Sequence, residues 1–204
     1  MRILHEEILL GASSLRRDGS ARACLDEVRQ AIRCVVWPTD SAHFTIRPIV
    51  DGNGVLPIKV GFMRRLRELG WELEKRAVIT PGLGPGKVDA LKKTGGTSSF
   101  AAEWETGNIS SSHRALNKIC AGLIDGSLSG GVLVLPDREL YQYLTQRIGN
   151  FRELAPYFPV YRRLRITRGV LAVFAVAHDD TDATAPLIPK GTDGNALKKR
   201  ALNR

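Results

Sequence analysis

The chain has 204 residues, 43% of them apolar, and a formal net charge of +9. That length fits a single domain, residues 1–204, with a sizeable core. The basic excess favours a polyanionic partner, although ribosomal and membrane-surface proteins share it. The longest apolar stretches, near 170–177 and 131–135, are far too short to span a bilayer. Glu6 and Glu7 precede the first apolar run and no plausible cleavage site follows, so the N-terminus does not read as a signal peptide. Cys24, Cys34 and Cys120 show no metal spacing, which reads as reduced thiols in a cytoplasmic protein.

In chain order, Cys24, Leu25, Val28, Ile32 and Val35 recur at helical spacing and predict a helix over 21–37, ended by Trp37-Pro38. A short strand is expected at 44–46. Phe62, Leu66 and Leu69 mark the inner face of a helix over 58–69, with Arg64, Arg65 and Arg67 largely outward. A strand is predicted over 71–79, then a Pro/Gly-rich loop over 80–86 and a second strand over 87–91. The clearest helix runs from 110 to 125, because Leu116, Ile119, Cys120, Leu123 and Ile124 make a clean apolar stripe. Its opposite side carries Arg114 and Lys118. The unbroken apolar run 132–135 reads as a buried strand. A helix over 137–146 and a last strand over 169–177 follow. From about 190 to 204 the chain is Gly-rich and then basic, a tail expected to be mobile in the free protein. Helices packed around a central mixed β-sheet, an α/β fold, account for this pattern.

The most informative stretch is Phe100-Ala-Ala-Glu-Trp-Glu-Thr-Gly-Asn108, running into Ile109-Ser-Ser-Ser-His-Arg114. On a strand, Glu103 and Glu105 share one face, with Trp104 on the other. Their stems lie roughly 6.6 Å apart, where two ionised carboxylates repel by about 2.5 kcal/mol at an effective dielectric near 20. A bound divalent cation is the commonest reason to tolerate that. Gly95-Gly96 is a turn signal between two extended runs, so a hairpin brings Asp89 beside Glu103. An all-oxygen set of this kind suits magnesium or manganese rather than zinc.

The strand–turn–strand pattern Asp89…Glu103-x-Glu105 resembles the PD-(D/E)XK nuclease core, with Glu where most members have Lys. With Thr-Gly-Asn-Ile-Ser-Ser-Ser-His-Arg-Ala-Leu-Asn-Lys following, it is similar to the BamHI-type type II restriction endonucleases. Gly70-Trp71, Gly130–Pro136, Tyr143–Phe151 and Ile188–Gly194 match family segments in the same order. The resemblance spans most of 50–195 and is most specific from Glu103 to Lys118. It implies a homodimeric, Mg2+-dependent enzyme, Mn2+ substituting, that hydrolyses double-stranded DNA. Its site would be a short palindrome of six base pairs with a GATC centre, GGATCC among the candidates. It also implies a cognate methyltransferase in the same cell.

Within that resemblance, Asp89 and Glu103 are metal ligands, and Glu105 is the general base or a water-positioning group. Glu74, placed on one strand face with Glu72, is a further candidate ligand or a surface carboxylate. Lys87 is a solvated or phosphate-contacting residue or a stand-in for the missing Lys. Asn108 and Ser110 begin the helix that enters the major groove, where Asn suits adenine and Ser either partner; either also suits an N-cap. Arg114 is a guanine or phosphate contact or a solvated residue, and His113 is mainly structural. At 146–147 the family pattern is Asp-Arg. This chain has Gln146-Arg147, which keeps guanine for Arg147 and leaves the outer base pair open. Lys190 starts a late loop implied to touch the DNA backbone or minor groove. Two rivals remain: a DNA-binding module with an inactive nuclease core, and a glycosidase using the Glu pair. The net charge and the 6% aromatic content disfavour the second.

Overall fold

The computed structural model describes residues 1–74, 76–77, 86–96 and 98–190. Residues 75 and 78–79 of the expected strand, residues 80–85 of the loop and the basic tail from 191 lie outside the described residues.

Six described strands form one mixed sheet flanked by helices. They are β1 (Arg2–Leu10), β3 (Glu72–Leu73), β6 (Ala90–Gly95), β7 (Ser98–Trp104), β8 (Leu128–Pro136) and β9 (Val170–Ala177), in the order β1-β9-β8-β7-β6-β3. The pairs β7–β8 and β8–β9 are parallel and the outer pairs antiparallel. Parallel neighbours need a long crossover. Helix α4 (Ile109–Asp125) supplies the first. A series of short helices supplies the second: α5 (Arg138–Tyr141), α6 (Phe151–Leu154), a 3₁₀ turn and α7 (Phe158–Arg162). Helices α1 (Ala12–Arg17), α2 (Gly19–Arg33) and α3 (Leu56–Glu68) come earlier. Two small pairs, β2 (Thr45–Ile46) with β10 (Asp180–Thr181) and β4 (Arg76–Ala77) with β5 (Gly86–Lys87), complete the described strands.

The sheet is buried on both faces, which is why β8 and β9 read as unbroken apolar runs. Val132, Val134, Val170, Ala172 and Phe174 join α2 and α3 on one side. Leu133, Leu135, Leu171 and Val173 join Leu116, Ile119 and Leu123 of α4 on the other. Gly130 and Gly131 make both contacts possible. A Cβ at Gly130 would lie 2.3 Å from the Phe100 ring, and one at Gly131 2.5 Å from Ile119 Cγ2. Burial also pushes the thiol of Cys24 up to about 12 and that of Cys120 up to about 11, so both stay protonated. No described helix is long and apolar enough to cross a membrane.

Several elements differ from the sequence expectation. The first long helix ends at Arg33, because Cys34 closes it with N–H bonds to the carbonyls of Gln30 and Ile32. The expected strand 71–79 breaks at Glu74, whose φ of 49° belongs to the left-handed region. Glu72 and Glu74 therefore do not share a strand face. The expected strand 87–91 also breaks, between β5 and β6, at Val88-Asp89. The helix expected over 137–146 shrinks to α5, since Tyr143 and Leu144 turn to meet Asn53.

That turn leads to 146–149, which rests on the start of α4. Gly149 N–H donates to Gly107 O at 2.7 Å. A Cβ at Gly149 would meet Ile109 Cα at 2.9 Å and Ile109 N at 3.0 Å, both backbone atoms. Gly149→Ala is therefore expected to lift this turn off α4 and to cost about 1–3 kcal/mol of stability, read as a lower urea midpoint. Gly19→Ala, where a Cβ meets nothing within 4 Å, is the control and should be neutral or slightly stabilising. Equal midpoints for the two variants would refute the docking.

Candidate active site

The hairpin β6–β7 sets the site. Its register pairs Ala90 with Ala102, so Asp89, one residue before the ladder, falls opposite Glu103. The two residues then lock reciprocally. Asp89 N–H donates to Glu103 Oε2 at 3.2 Å, and Trp104 N–H donates to Asp89 Oδ2 at 2.9 Å. Strand alternation puts Trp104 in the core beside Phe62, 4.8 Å between centroids, and turns Glu103 toward α4.

Each carboxylate is engaged by a lysine from a helix. Lys59 of α3 donates to Asp89 Oδ1 at 2.6 Å. Lys118 of α4 donates to Glu103 Oε1 and to the carbonyl of Lys87. The Glu103 side chain is only 9% exposed. Burial raises its pKa above the ordinary carboxylate value; Lys118 pulls it down, and Asp89 adds to the rise. Desolvation thus outweighs the ion pair.

Glu105 lies one residue past the end of β7. Its N–H still donates to Val134 O at 2.8 Å. Its carboxylate turns back onto Gly107 N–H at 2.6 Å instead of lining up with Glu103. A Cβ at Gly107 would stand 2.7 Å from that Oε1, so the glycine leaves the carboxylate its place. Glu74 is exposed at its bend, and its N–H donates to Asp89 O at 2.8 Å. Among the described residues no three metal-ligating side chains gather. The donor chemistry of Asp89 and Glu103 nonetheless fits a hard divalent cation. Two ammonium groups, of Lys59 and Lys118, stand against these carboxylates.

The recognition candidates fall on neighbouring surfaces. Asn108 caps α4, its Oδ1 accepting from Ser111 N–H at 3.1 Å. Asn108, Ser110 and Arg114 are exposed at the start of α4, and Arg114 reaches Ser111 Oγ at 3.3 Å. His113 is held by Tyr161 OH at 3.0 Å and the edge of Tyr157, a packing role. Gln146 and Arg147 are exposed, with Arg147 at φ 71°. Lys190 donates to Asp51 O at 2.6 Å. Sequence reading missed Lys59 and the contact of Lys118 with Glu103. Lys118 follows Arg114 by four residues and so extends its helical row, which was a usable signal; Lys59 offered none.

The chain belongs to the BamHI family of type II restriction endonucleases: the family model described as restriction endonuclease BamHI matches residues 1–195. The type II restriction enzyme OkrAI of Oceanobacter kriegii is 47% identical over 198 residues, covering 97% of this chain and 100% of the relative. The type II restriction enzyme BamHI of Bacillus amyloliquefaciens is 34% identical over 198 residues, covering 93% and 89%. The crystal structure of restriction endonuclease BglII complexed with a DNA 16-mer matches with a TM-score of 0.62 at 7% identity, over 90% of this chain and 87% of that one. That likeness bears on the fold alone.

The raised pKa of Glu103 has a thermodynamic consequence. A carboxyl whose folded pKa lies above its unfolded value costs nothing when protonated in both states. The penalty grows as pH rises through the folded pKa. In metal-free protein, Glu103→Gln is therefore expected to raise the melting temperature at pH 8, with the gain shrinking as pH falls toward the carboxylate range. Calorimetry across pH checks this. A Glu103→Gln protein less stable than wild type at pH 8 would mean that the Lys118 pair outweighs desolvation.

Proposed function

We propose that the protein is a homodimeric, Mg2+-dependent endonuclease that cuts a palindromic DNA duplex of six base pairs with a GATC centre, GGATCC being the leading candidate. The observation that carries this reading is the reciprocal Asp89–Glu103 pairing beside the exposed N-terminal turn of α4. Two-fold symmetry lets each subunit read one half-site and cut one strand. Manganese should substitute for magnesium. The enzyme works in the cytoplasm beside host DNA, whose own sites a cognate methyltransferase protects.

Asp89 and Glu103 would hold the cation, with Glu74, whose N–H donates to the Asp89 carbonyl, a third ligand candidate. When bound, the cation supplies positive charge against the developing phosphorane and acidifies water. Lys59 and Lys118 balance the carboxylates until then. Glu105, held by Gly107 N–H, accepts a proton from the attacking water as its oxygen bonds phosphorus and the bond to the leaving oxygen breaks. Asn108 and Ser110 face base edges near the cut, Arg114 a guanine or phosphate, Arg147 a guanine, and Lys190 the DNA backbone.

The lysine pairs also favour a second reading, a DNA-binding module whose carboxylates are structural ion-pair partners. Incubation with plasmid and magnesium separates the two. Discrete fragments are expected; shifted but intact DNA would support the second reading. Asp89→Ala and Glu103→Ala should each abolish cutting while binding survives, since both remove negative charge facing phosphate. Substantial cleavage by either variant would sink the ligand assignment.

Arg147→Ala should relax one base pair in each half-site. A bidentate Arg–guanine contact is worth roughly 1–3 kcal/mol, and a symmetric dimer uses it twice. Binding-site selection on randomised duplexes reads this directly. Identical stringency in wild type and variant would remove Arg147 from the recognition surface.

A further inference from the structure

The two carboxylates of the β6–β7 hairpin are each held in two different ways. One oxygen of each takes a backbone N–H: Glu103 Oε2 from Asp89, and Asp89 Oδ2 from Trp104. The other oxygen of each takes an ammonium: Asp89 Oδ1 from Lys59, and Glu103 Oε1 from Lys118. The backbone bonds belong to the hairpin itself. The ammonium groups are carried by α3 and α4, which cover opposite faces of the sheet. Lys118 also donates to the carbonyl of Lys87, so its ammonium sits between two oxygens from different segments.

The two kinds of contact differ in what they permit. The backbone bonds fix the carboxylates whatever engages Oδ1 and Oε1. A lysine ammonium is a donor only, so it cannot coordinate a metal and competes for the same lone pairs. Two carboxylates and two ammonium groups also sum to zero charge. A divalent cation reaching these oxygens meets two like charges a few ångströms away, and that repulsion is strong beside a protein interior. Lysine stems are flexible. The side chains of Lys59 and Lys118 remain 37% and 23% exposed, so both ammonium groups have a path outward.

We propose that Lys59 and Lys118 gate the cation site: each ammonium occupies a carboxylate oxygen that a divalent cation would take, and keeps metal affinity low until a DNA phosphate draws it away. This deepens the nuclease reading above and rests on it. A phosphate offers the ammonium groups new acceptors and brings negative charge to the site. DNA and cation then strengthen each other's binding by the same factor. Lysines that merely orient the carboxylates would act with the opposite sign, since their removal would weaken metal binding.

The test is Mn2+ binding by the full chain at pH 8 without DNA, followed by the electron paramagnetic resonance of free manganese. Wild type is expected to bind weakly. Lys59→Met and Lys118→Met keep the apolar stem and lose the charge, and each should tighten binding by about tenfold or more. Lys118→Arg keeps a charge and should stay near wild type, as should Lys93→Met, exposed on β6. Adding Glu103→Gln to Lys118→Met should remove the gain, which ties the ion to this pair. Lys59→Met decides alone if Lys118→Met misfolds with Glu103 left buried and unpaired. Unchanged or weaker binding in Lys59→Met overturns the proposal. So does an equal gain in Lys93→Met, because a general loss of positive charge would then suffice. A duplex carrying GGATCC should tighten Mn2+ binding in wild type more than in either Met variant, and equal tightening overturns the exchange with phosphate. A wild type that leaves plasmid intact with magnesium overturns the nuclease reading instead, whatever the Mn2+ affinities of the free variants.

Discussion

A buried carboxylate held against a second carboxylate is the constraint around which the structure is arranged. Glu103 sits near the end of β7, almost out of water, with Asp89 opposite. Neither position is negotiable by one residue. A register slip in the β6–β7 hairpin would turn Glu103 into the core that Trp104 occupies and bring Trp104 out in its place. The backbone N–H groups of Asp89 and Trp104 are spent on the two side chains, so hairpin register and carboxylate placement are a single choice.

The neighbouring layers answer that choice with charge. Lys59 arrives from α3 and Lys118 from α4, from helices that follow different parts of the chain. The two anions and two cations balance, which lets the cluster persist near a low-dielectric core. The balance is incomplete at Glu103, where burial still favours the protonated acid. A site in this condition gains from a stronger cation. Close approach of α4 is needed for Lys118 to reach at all, and Gly131 beneath Ile119 permits it.

How much of this the sequence reveals depends on which force places each residue. Helix α4 is legible because its apolar stripe, its Asn108 cap and its Gly126 terminus all agree. Strands β8 and β9 are legible because both their faces are buried. The pairing of Asp89 with Glu103 follows from the Gly95-Gly96 turn. The rest is set by contacts between distant segments, which periodicity does not carry. Strand β1 is an edge whose outer residues, such as Glu6 and Glu7, pair with Arg29 and Arg162, so its alternation is blurred. The helical segments at 151–162 are short and interrupted by Pro156 and Pro159. Asp51-Gly-Asn-Gly54 reads as an ordinary polar turn, although Asn53 joins three segments through it. The expected alignment of Glu105 with Glu103 assumed that β7 continued one residue further; the Gly107 N–H captures that carboxylate first.

The contact between Gly149 and Gly107 has a mechanical meaning. Gly149 N–H holds Gly107 O, and Gly107 N–H holds the Glu105 carboxylate. Two hydrogen bonds in series thus run from the turn that carries Arg147 to the Glu105 carboxylate. Both links depend on glycine: a Cβ at Gly149 would strike the Ile109 backbone, and one at Gly107 would strike the Glu105 carboxylate itself. Arg147 and Glu105, far apart in sequence, thus hang on one run of hydrogen bonds, so a change that loosens the turn also loosens the carboxylate.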